Sequence, residues 1–405
     1  MRFVHTADLH IGRRLGQLPL ADDASFMLDE LHDLVVSRSG DALVVAGDVF
    51  DAPVPPEWAV RMWDSFVECM AAAGVTLLVV GGNHDSGARL AYGSSLVAAA
   101  GVHVVGEFTG EVPCVEVGGV TFWLVPFVRP ADVRAWAASM GHEVVGPLDY
   151  DAAVRLVLDS VRERPEYAAS SANVAVAHQF VTASGAAPTR CDSERLSLGT
   201  LDNVDVSAFD GFDYVALGHV HGPQRVGRDT VRYAGSPLKY SASEIDQRKS
   251  FAVVDVEPGE VPSVELVPMA PLHGFRRERG GFDELLDRGR GEDEATRADF
   301  VQAVVTDDEE PVDVAARLRA VWPDLVGVEF DNARTNAAGA RSVAEVEATT
   351  ADVAGLFSDF FDQQVGRAMS DSERQVMRSA MAEDRGEDPH GEVAAGTYAA
   401  GGVVA

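Results

Sequence analysis

Lysine is nearly missing from this 405-residue chain, which has only Lys239 and Lys249. The formal net charge is −31. So acidic a surface excludes a partner that binds by general attraction between a basic protein and a polyanion. A local basic path is not excluded, since Arg13, Arg14, Arg89, Arg129 and Arg134 lie shortly after predicted strand ends. Cysteine is scarce as well. Cys69, Cys114 and Cys191 are far apart and odd in number. That excludes a disulfide framework and points to a reducing cytoplasm, with the three thiols as small buried residues. No apolar run approaches the roughly 20 residues of a membrane span. The opening Arg2-Phe3-Val4-His5-Thr6 reads as a strand rather than a signal peptide.

Apolar residues make up 46% of the chain, enough for a large core. Val- and Leu-rich runs at 2–7, 42–46 and 75–80 alternate with helical spacings such as Phe26, Leu28, Leu31, Leu34 and Val35. Strands alternating with helices imply βαβ units. Pro55-Pro56 suits the first turn of a second helix bearing Trp58, Met62, Phe66 and Met70. Further strands are expected at 112–117, 120–125, 173–177, 214–217, 231–234, 251–255 and 263–268, with a hairpin at Gly118-Gly119. Residues 1–270 read as one α/β domain of two facing sheets with helices outside. Residues 271–335 read as a small α+β unit with a charged stretch from Arg276 to Arg297, a strand at 299–305, a helix at 311–321 and a strand at 325–330. A linker rich in Ala, Asn and Gly follows at 332–340. Two helices are expected at 350–366 and 371–383, opened by capping boxes at Thr349–Asp352 and Ser370–Glu373. The Gly- and Ala-rich tail, 386–405, reads as disordered.

Five segments carry Asp, His and Asn in a recurring order. They are Asp8-Leu9-His10, Gly47-Asp48-Val49-Phe50-Asp51, Gly82-Asn83-His84-Asp85, His178, and Gly218-His219-Val220-His221. Each follows an apolar run read as a strand, so the polar groups collect where open α/β sheets place their chemistry. Asp-x-His puts two ligands on one face, because strand side chains alternate. Asp48 has two oxygens and can bridge two cations. Asn83 offers a neutral oxygen. Mixed oxygen and imidazole donors suit Mn²⁺ best, with Fe²⁺ or Zn²⁺ also possible. Two divalent metals together imply hydrolysis of a phosphate ester.

These motifs, D-x-H, G-D-x-x-D, G-N-H-D, H and G-H-x-H, resemble the calcineurin-like metallophosphoesterase superfamily over residues 1 to about 240. Within it, Phe3 to His10, Gly218 to His221 and Tyr233-Ala234-Gly235-Ser236-Pro237 are similar to the SbcD-type nuclease subunits. The resemblance implies a four-layer β-sandwich flanked by helices, a small α+β capping domain and a C-terminal helix pair (345–385) that docks on an SbcC-like coiled-coil ATPase. It implies one metal held by Asp8, His10, Asp48 and His221, and another by Asp48, Asn83, His178 and His219. Mn²⁺ is the expected metal, with Mg²⁺ an alternative. His84 would stay uncoordinated and face the scissile phosphate, oriented by Asp51, which would favour its protonated form.

DNA is the implied substrate, and a homodimer built from 57–72 and 90–100 the implied assembly. Trp58, Met62, Trp63 and Phe66 could equally be internal core. Arg276, Arg277 and Arg279 could contact phosphates or simply be solvated. Phe357, Phe360 and Phe361 could form the partner-docking face or pack on the capping unit. Two other readings stand beside the nuclease: a phosphoesterase for nucleotides or phosphoproteins, and a scaffold with a decayed site. Ala52-Pro53 after Asp51, and Asp85 after His84, depart from the phosphoprotein pattern.

Overall fold

Strands buried on both faces need continuous apolar runs, not alternation. The Val- and Leu-rich runs meet that need by forming two six-stranded sheets. The structure, a computed structural model, describes residues 1–141, 146–183, 185–194, 203–309, 311–333 and a few separate positions between 335 and 377.

In the first sheet Arg2–Thr6, Ala42–Ala46, Thr76–Val80 and Val102–Val105 run parallel, extended by antiparallel Ser250–Asp255 and Ser263–Pro268. In the second, Val120–Val125, Ala172–His178, Tyr214–Gly218 and Arg228–Tyr233 run parallel. Antiparallel Cys114–Val117 and Gln224–Val226 close its edges.

Register decides which side chains meet. Val4, Leu43, Leu77 and Val102 stand in one row facing the helices Ala21–Ser37 and Glu57–Ala72. Alternate residues Phe3, Val44 and Leu78 point the other way, into a core shared with the second sheet. There Phe3 meets Phe122 edge-on at 5.1 Å and Tyr214 at 5.6 Å between ring centroids. The helices Pro130–Ser139 and Tyr150–Arg162 cover the second sheet's outer face through residues such as Val133, Val157 and Leu158. The result is the expected layering of helix, sheet, sheet and helix. The Gly118-Gly119 hairpin is present, with φ of 60° and 83°, which a two-residue turn of this hand requires.

Some expectations shift. Of the three cysteines only Cys191 is buried; Cys114 is half-buried and Cys69 exposed, because it lies on the outer side of Glu57–Ala72. On that helix Trp63 and Phe66 are core, Met62 packs partly against it, and Trp58 is exposed. The charged stretch after Arg276 is ordered. Phe275–Gly280 is an edge strand hidden by four consecutive charged residues, and such charges protect a sheet edge. Phe282–Gly291 is a helix that buries Phe282, Leu285, Leu286 and Gly289. With Phe300–Val305 and Leu325–Phe330, the strand makes a three-stranded sheet. Arg276 is enclosed by Glu278, Glu292 (2.7 Å) and Asp299 (3.3 Å). Its charge is compensated inside the unit, which removes it as a phosphate contact. Arg277 reaches the Ala242 carbonyl.

By backbone contacts, Met1–Val305 with Glu310–Glu329 is one compact unit. No described helix is long and apolar enough to cross a membrane. Further along, the expected Ser370–Glu373 capping box is formed: the Glu373 carboxylate accepts the Ser370 backbone N–H at 2.8 Å, and Ser370 Oγ accepts the Glu373 backbone N–H at 3.4 Å. The Thr349–Asp352 box, the bulk of the helix pair, Phe357 and Phe360, most of the 332–340 linker and the 386–405 tail lie outside the described residues.

Candidate metal centre

Every parallel strand that precedes a motif ends where the motif begins. Thr6 leads to Asp8 and His10, Ala46 to Asp48, Val80 to Asn83, and Gly218 to His219 and His221, while His178 closes its own strand. Such turns are not relaxed. Six described non-glycine residues have positive φ, and four of them are Asp8 (55°), His10 (41°), Asp48 (52°) and His219 (105°). Strain of that kind persists where surrounding structure enforces it, and it concentrates at functional sites. Gly47, with φ of 91°, is forced by close approach as well: a Cβ there would stand 2.2 Å from His178 Nδ1.

The structure brings all seven expected ligand residues together. Asp48 Oδ2 lies 3.3 Å from His178 Nε2 and 3.7 Å from His10 Nε2. Asn83 Oδ1 lies 3.1 Å from His178 Nε2 and 2.9 Å from His219 Nδ1. His10 Nε2 and His221 Nε2 are 3.2 Å apart, and Asp8 joins both the His10–His221 and the Asp48–His178 groupings. Donor atoms around a cation at about 2.1 Å stand roughly 3.0–3.4 Å from one another. Most of these spacings fall in or near that range, so the donor set suits divalent cations.

The hydrogen bonds behind the donors fit too. His178 Nδ1–H donates to the Ala46 carbonyl at 2.8 Å, which leaves Nε2 a bare acceptor facing two oxygens. Three lone pairs converging in a buried pocket require a positive charge. Burial works to lower the His178 pKa, but the Asp48 carboxylate outweighs it and lifts it to about 9, so that a proton answers the same demand. Asp48 turns Oδ2 to His10 and His178, while Oδ1 accepts the His84 backbone N–H at 2.8 Å, so Oδ2 is the oxygen that would be shared between cations.

The family follows from comparison. A model described as Calcineurin-like phosphoesterase matches residues 1–223, more than half of the chain. The chain belongs to the calcineurin-like phosphoesterases. Its fold family implies divalent metal ions, and the buried nitrogen and oxygen donors suit them. A second model, SbcD_C, described as Type 5 capsule protein repressor C-terminal domain, matches residues 271–365 of this phosphoesterase. The SbcD subunit of the nuclease SbcCD from Staphylococcus epidermidis is 26% identical over 387 residues, 93% of this chain and 98% of that protein. A solved dimetal phosphatase from Danio rerio is 13% identical with a TM-score of 0.38, over 67% of this chain and 96% of that one.

Around the phosphoesterase donors lie residues to which the sequence reading gave no role. Asp85 accepts from the backbone N–H groups of Val49 (3.1 Å), Phe50 (3.0 Å) and Gly82 (3.0 Å), tying the Asp48 loop to the Asn83 loop. Burial, helped by the charge of Asp48, raises its carboxyl to about 6. An amide cannot replace it, since its NH₂ would face a backbone N–H. Asp85→Asn should therefore lose about 1–3 kcal/mol of stability and about 10–100-fold in metal affinity. Denaturant unfolding and Mn²⁺ titration would measure both, and wild-type values would dismiss the tie.

His84 Nδ1 lies 2.8 Å from the Asp51 backbone carbonyl. The expectation gave that orienting contact to the Asp51 carboxylate, which instead pairs with Arg13 at 2.9 Å. Arg13 also reaches the Ser193 carbonyl at 2.9 Å and lies over the Tyr240 ring, so it braces the site from one side. Ser193, Glu194 and Glu244 surround His221 and were not anticipated, because no motif spacing links them.

Proposed function

We propose that this phosphoesterase is a metal-dependent DNA nuclease subunit of the SbcD type. It would hydrolyse phosphodiester bonds at DNA ends and hairpins, in repair and recombination, together with an SbcC-like ATPase. One observation carries the reading. Likeness to a protein named as a nuclease subunit runs over 98% of that relative, well past residue 223 where the phosphoesterase match stops.

In this reading Asp8, His10, Asp48 and His221 hold one cation and Asp48, Asn83, His178 and His219 the other, with Mn²⁺ the metal that best suits mixed donors. Bound there, divalent cations neutralise the phosphodiester and make a water acidic enough to attack it. His84 is the catalytic side chain of the protein itself. Its Nδ1 is directed to the Asp51 carbonyl, so the second proton of its charged form sits on Nε2, placed to steady the phosphate and to supply the leaving oxygen. Asp51 acts through its backbone, and its carboxylate fixes Arg13.

Residues 1–270 form the nuclease domain in this account, 271–335 a DNA-capping domain, 345–385 the ATPase-docking region and 386–405 a tail. A homodimer is supported by the exposed apolar groups Trp58, Tyr92 (89%) and Leu96 (82%) in the two segments expected to pair. The protein would work in the cytoplasm.

The test compares linear duplex and hairpin DNA with an aryl phosphodiester, with Mn²⁺ or Mg²⁺, with and without the ATPase. Cleavage of DNA that the ATPase stimulates is the expected result. Turnover of the aryl ester alone would point to a small-substrate phosphoesterase.

A further inference from the structure

The second of the two lysines is almost fully buried, and it lies behind a metal-site histidine rather than on the surface. Lys249 Nζ, with three hydrogens to share, lies within hydrogen-bond distance of four oxygens: Glu244 Oε2 at 2.6 Å, Ser236 Oγ at 2.8 Å, Gln247 Oε1 at 2.8 Å and the His221 carbonyl at 3.0 Å. Glu244 is fully buried. Its other oxygen, Oε1, accepts from the Ser193 hydroxyl at 2.6 Å and from the Tyr240 backbone N–H at 3.1 Å. Ser193 Oγ lies 2.8 Å from His221 Nδ1.

Proton counting orders this chain. A hydroxyl carries one hydrogen. Glu244, paired with an ammonium, can only accept. Two oxygens 2.6 Å apart need a hydrogen between them, so the Ser193 hydrogen points at Glu244. Ser193 Oγ must then accept from His221, which puts the imidazole hydrogen on Nδ1 and leaves the Nε2 lone pair directed at His10 Nε2, 3.2 Å away. A second carboxylate fixes the His221 backbone: Glu194 Oε1 accepts its N–H at 3.0 Å.

We propose that Ser193, Glu244 and Lys249 are positioning residues that set the His221 tautomer and thereby the strength of one of the two cation sites. Outer partners of this kind typically contribute about 10–100-fold to metal affinity. The proposal rests on the two-cation reading above, but it also predicts something about the protein with no metal at all. The Tyr240–Lys249 segment belongs to it as much as the motif loop does, and Arg277 of the three-stranded sheet bonds to Ala242 in that segment. The hold on His221 is thus built from outside the five motifs.

The experiment uses the full chain, with Ser193→Ala, Ser193→Thr and Glu244→Gln. Histidine ¹⁵N shifts of the metal-free protein should give the Nδ1–H form of His221 in the wild type and in Ser193→Thr, and a mixture of forms in Ser193→Ala. Mn²⁺ titration, followed by the paramagnetic signal of free ion, should show one of two binding steps weakened about 10–100-fold in Ser193→Ala and Glu244→Gln. The other step should be unchanged, and Ser193→Thr should bind as the wild type does. A wild-type His221 protonated on Nε2, or both steps intact in Ser193→Ala, would overturn the relay. A wild type that takes up no Mn²⁺ yet shows the Nδ1–H form would instead overturn the cation reading and leave the relay standing.

Discussion

Asp48→Ala should abolish metal-dependent cleavage, with kcat/KM falling more than the roughly 10²–10³ that one transition-state contact is worth. The residue does three things at once. Its Oδ2 stands between His178 and His10, the two histidine groups. Its Oδ1 holds the His84 backbone. Its charge is what makes the lone-pair cluster attractive to cations. Removing it takes away the carboxylate facing His10 and His178 and the acceptor of the His84 backbone N–H. The expected pattern is loss of turnover together with loss of bound metal. An Asp48→Ala protein within tenfold of wild-type activity would break the assignment.

His84→Ala should separate what Asp48→Ala joins. The side chain is buried, with Nδ1 directed to the Asp51 carbonyl. It stands beside His10, with ring centroids 4.7 Å apart. The His84 backbone N–H donates to Asp48 at 2.8 Å, a bond that alanine keeps, so the substitution retains this hold on the Asp48 carboxylate. Metal content should stay at the wild-type level while kcat falls about 10²–10⁴, the range for a positioned proton donor. Metal analysis beside single-turnover kinetics on one DNA substrate would show this. A variant that loses metal in proportion to activity would make His84 a ligand instead.

The site was far more legible in the sequence than its supports. Each ligand sits within a few residues of an apolar run, so strand ends and ligands could be read together, and the βαβ rule brought the ends to one place. His178, alone in its segment, still found its position because its strand lies beside Tyr214–Gly218. The supports have no such punctuation. Ser193 and Glu244 are 51 residues apart and meet only through loops. Asp85 stood in a recognised motif, yet its three backbone bonds follow from loop shape, which residue types do not encode. Asp51 shows the same limit from the other side: it does meet His84, but through its carbonyl.

The fold divides similarly. Long uninterrupted runs such as Ala172–His178 were found almost to the residue. Val102–Val105 and the helices at Pro130–Ser139 and Tyr150–Arg162 were passed over, because their apolar patterns are short or interrupted by charge. Phe275–Gly280 was hidden for a different reason, being an edge strand dressed in arginine and glutamate.

Equilibrium titration of the metal-free chain with Mn²⁺ tests the central claim most directly. Two ions per chain should bind in the wild type, and neither should bind with comparable affinity in Asp48→Ala. Saturation at one ion or none in the wild type, or two unaltered sites in Asp48→Ala, would contradict a pair of cations sharing that carboxylate.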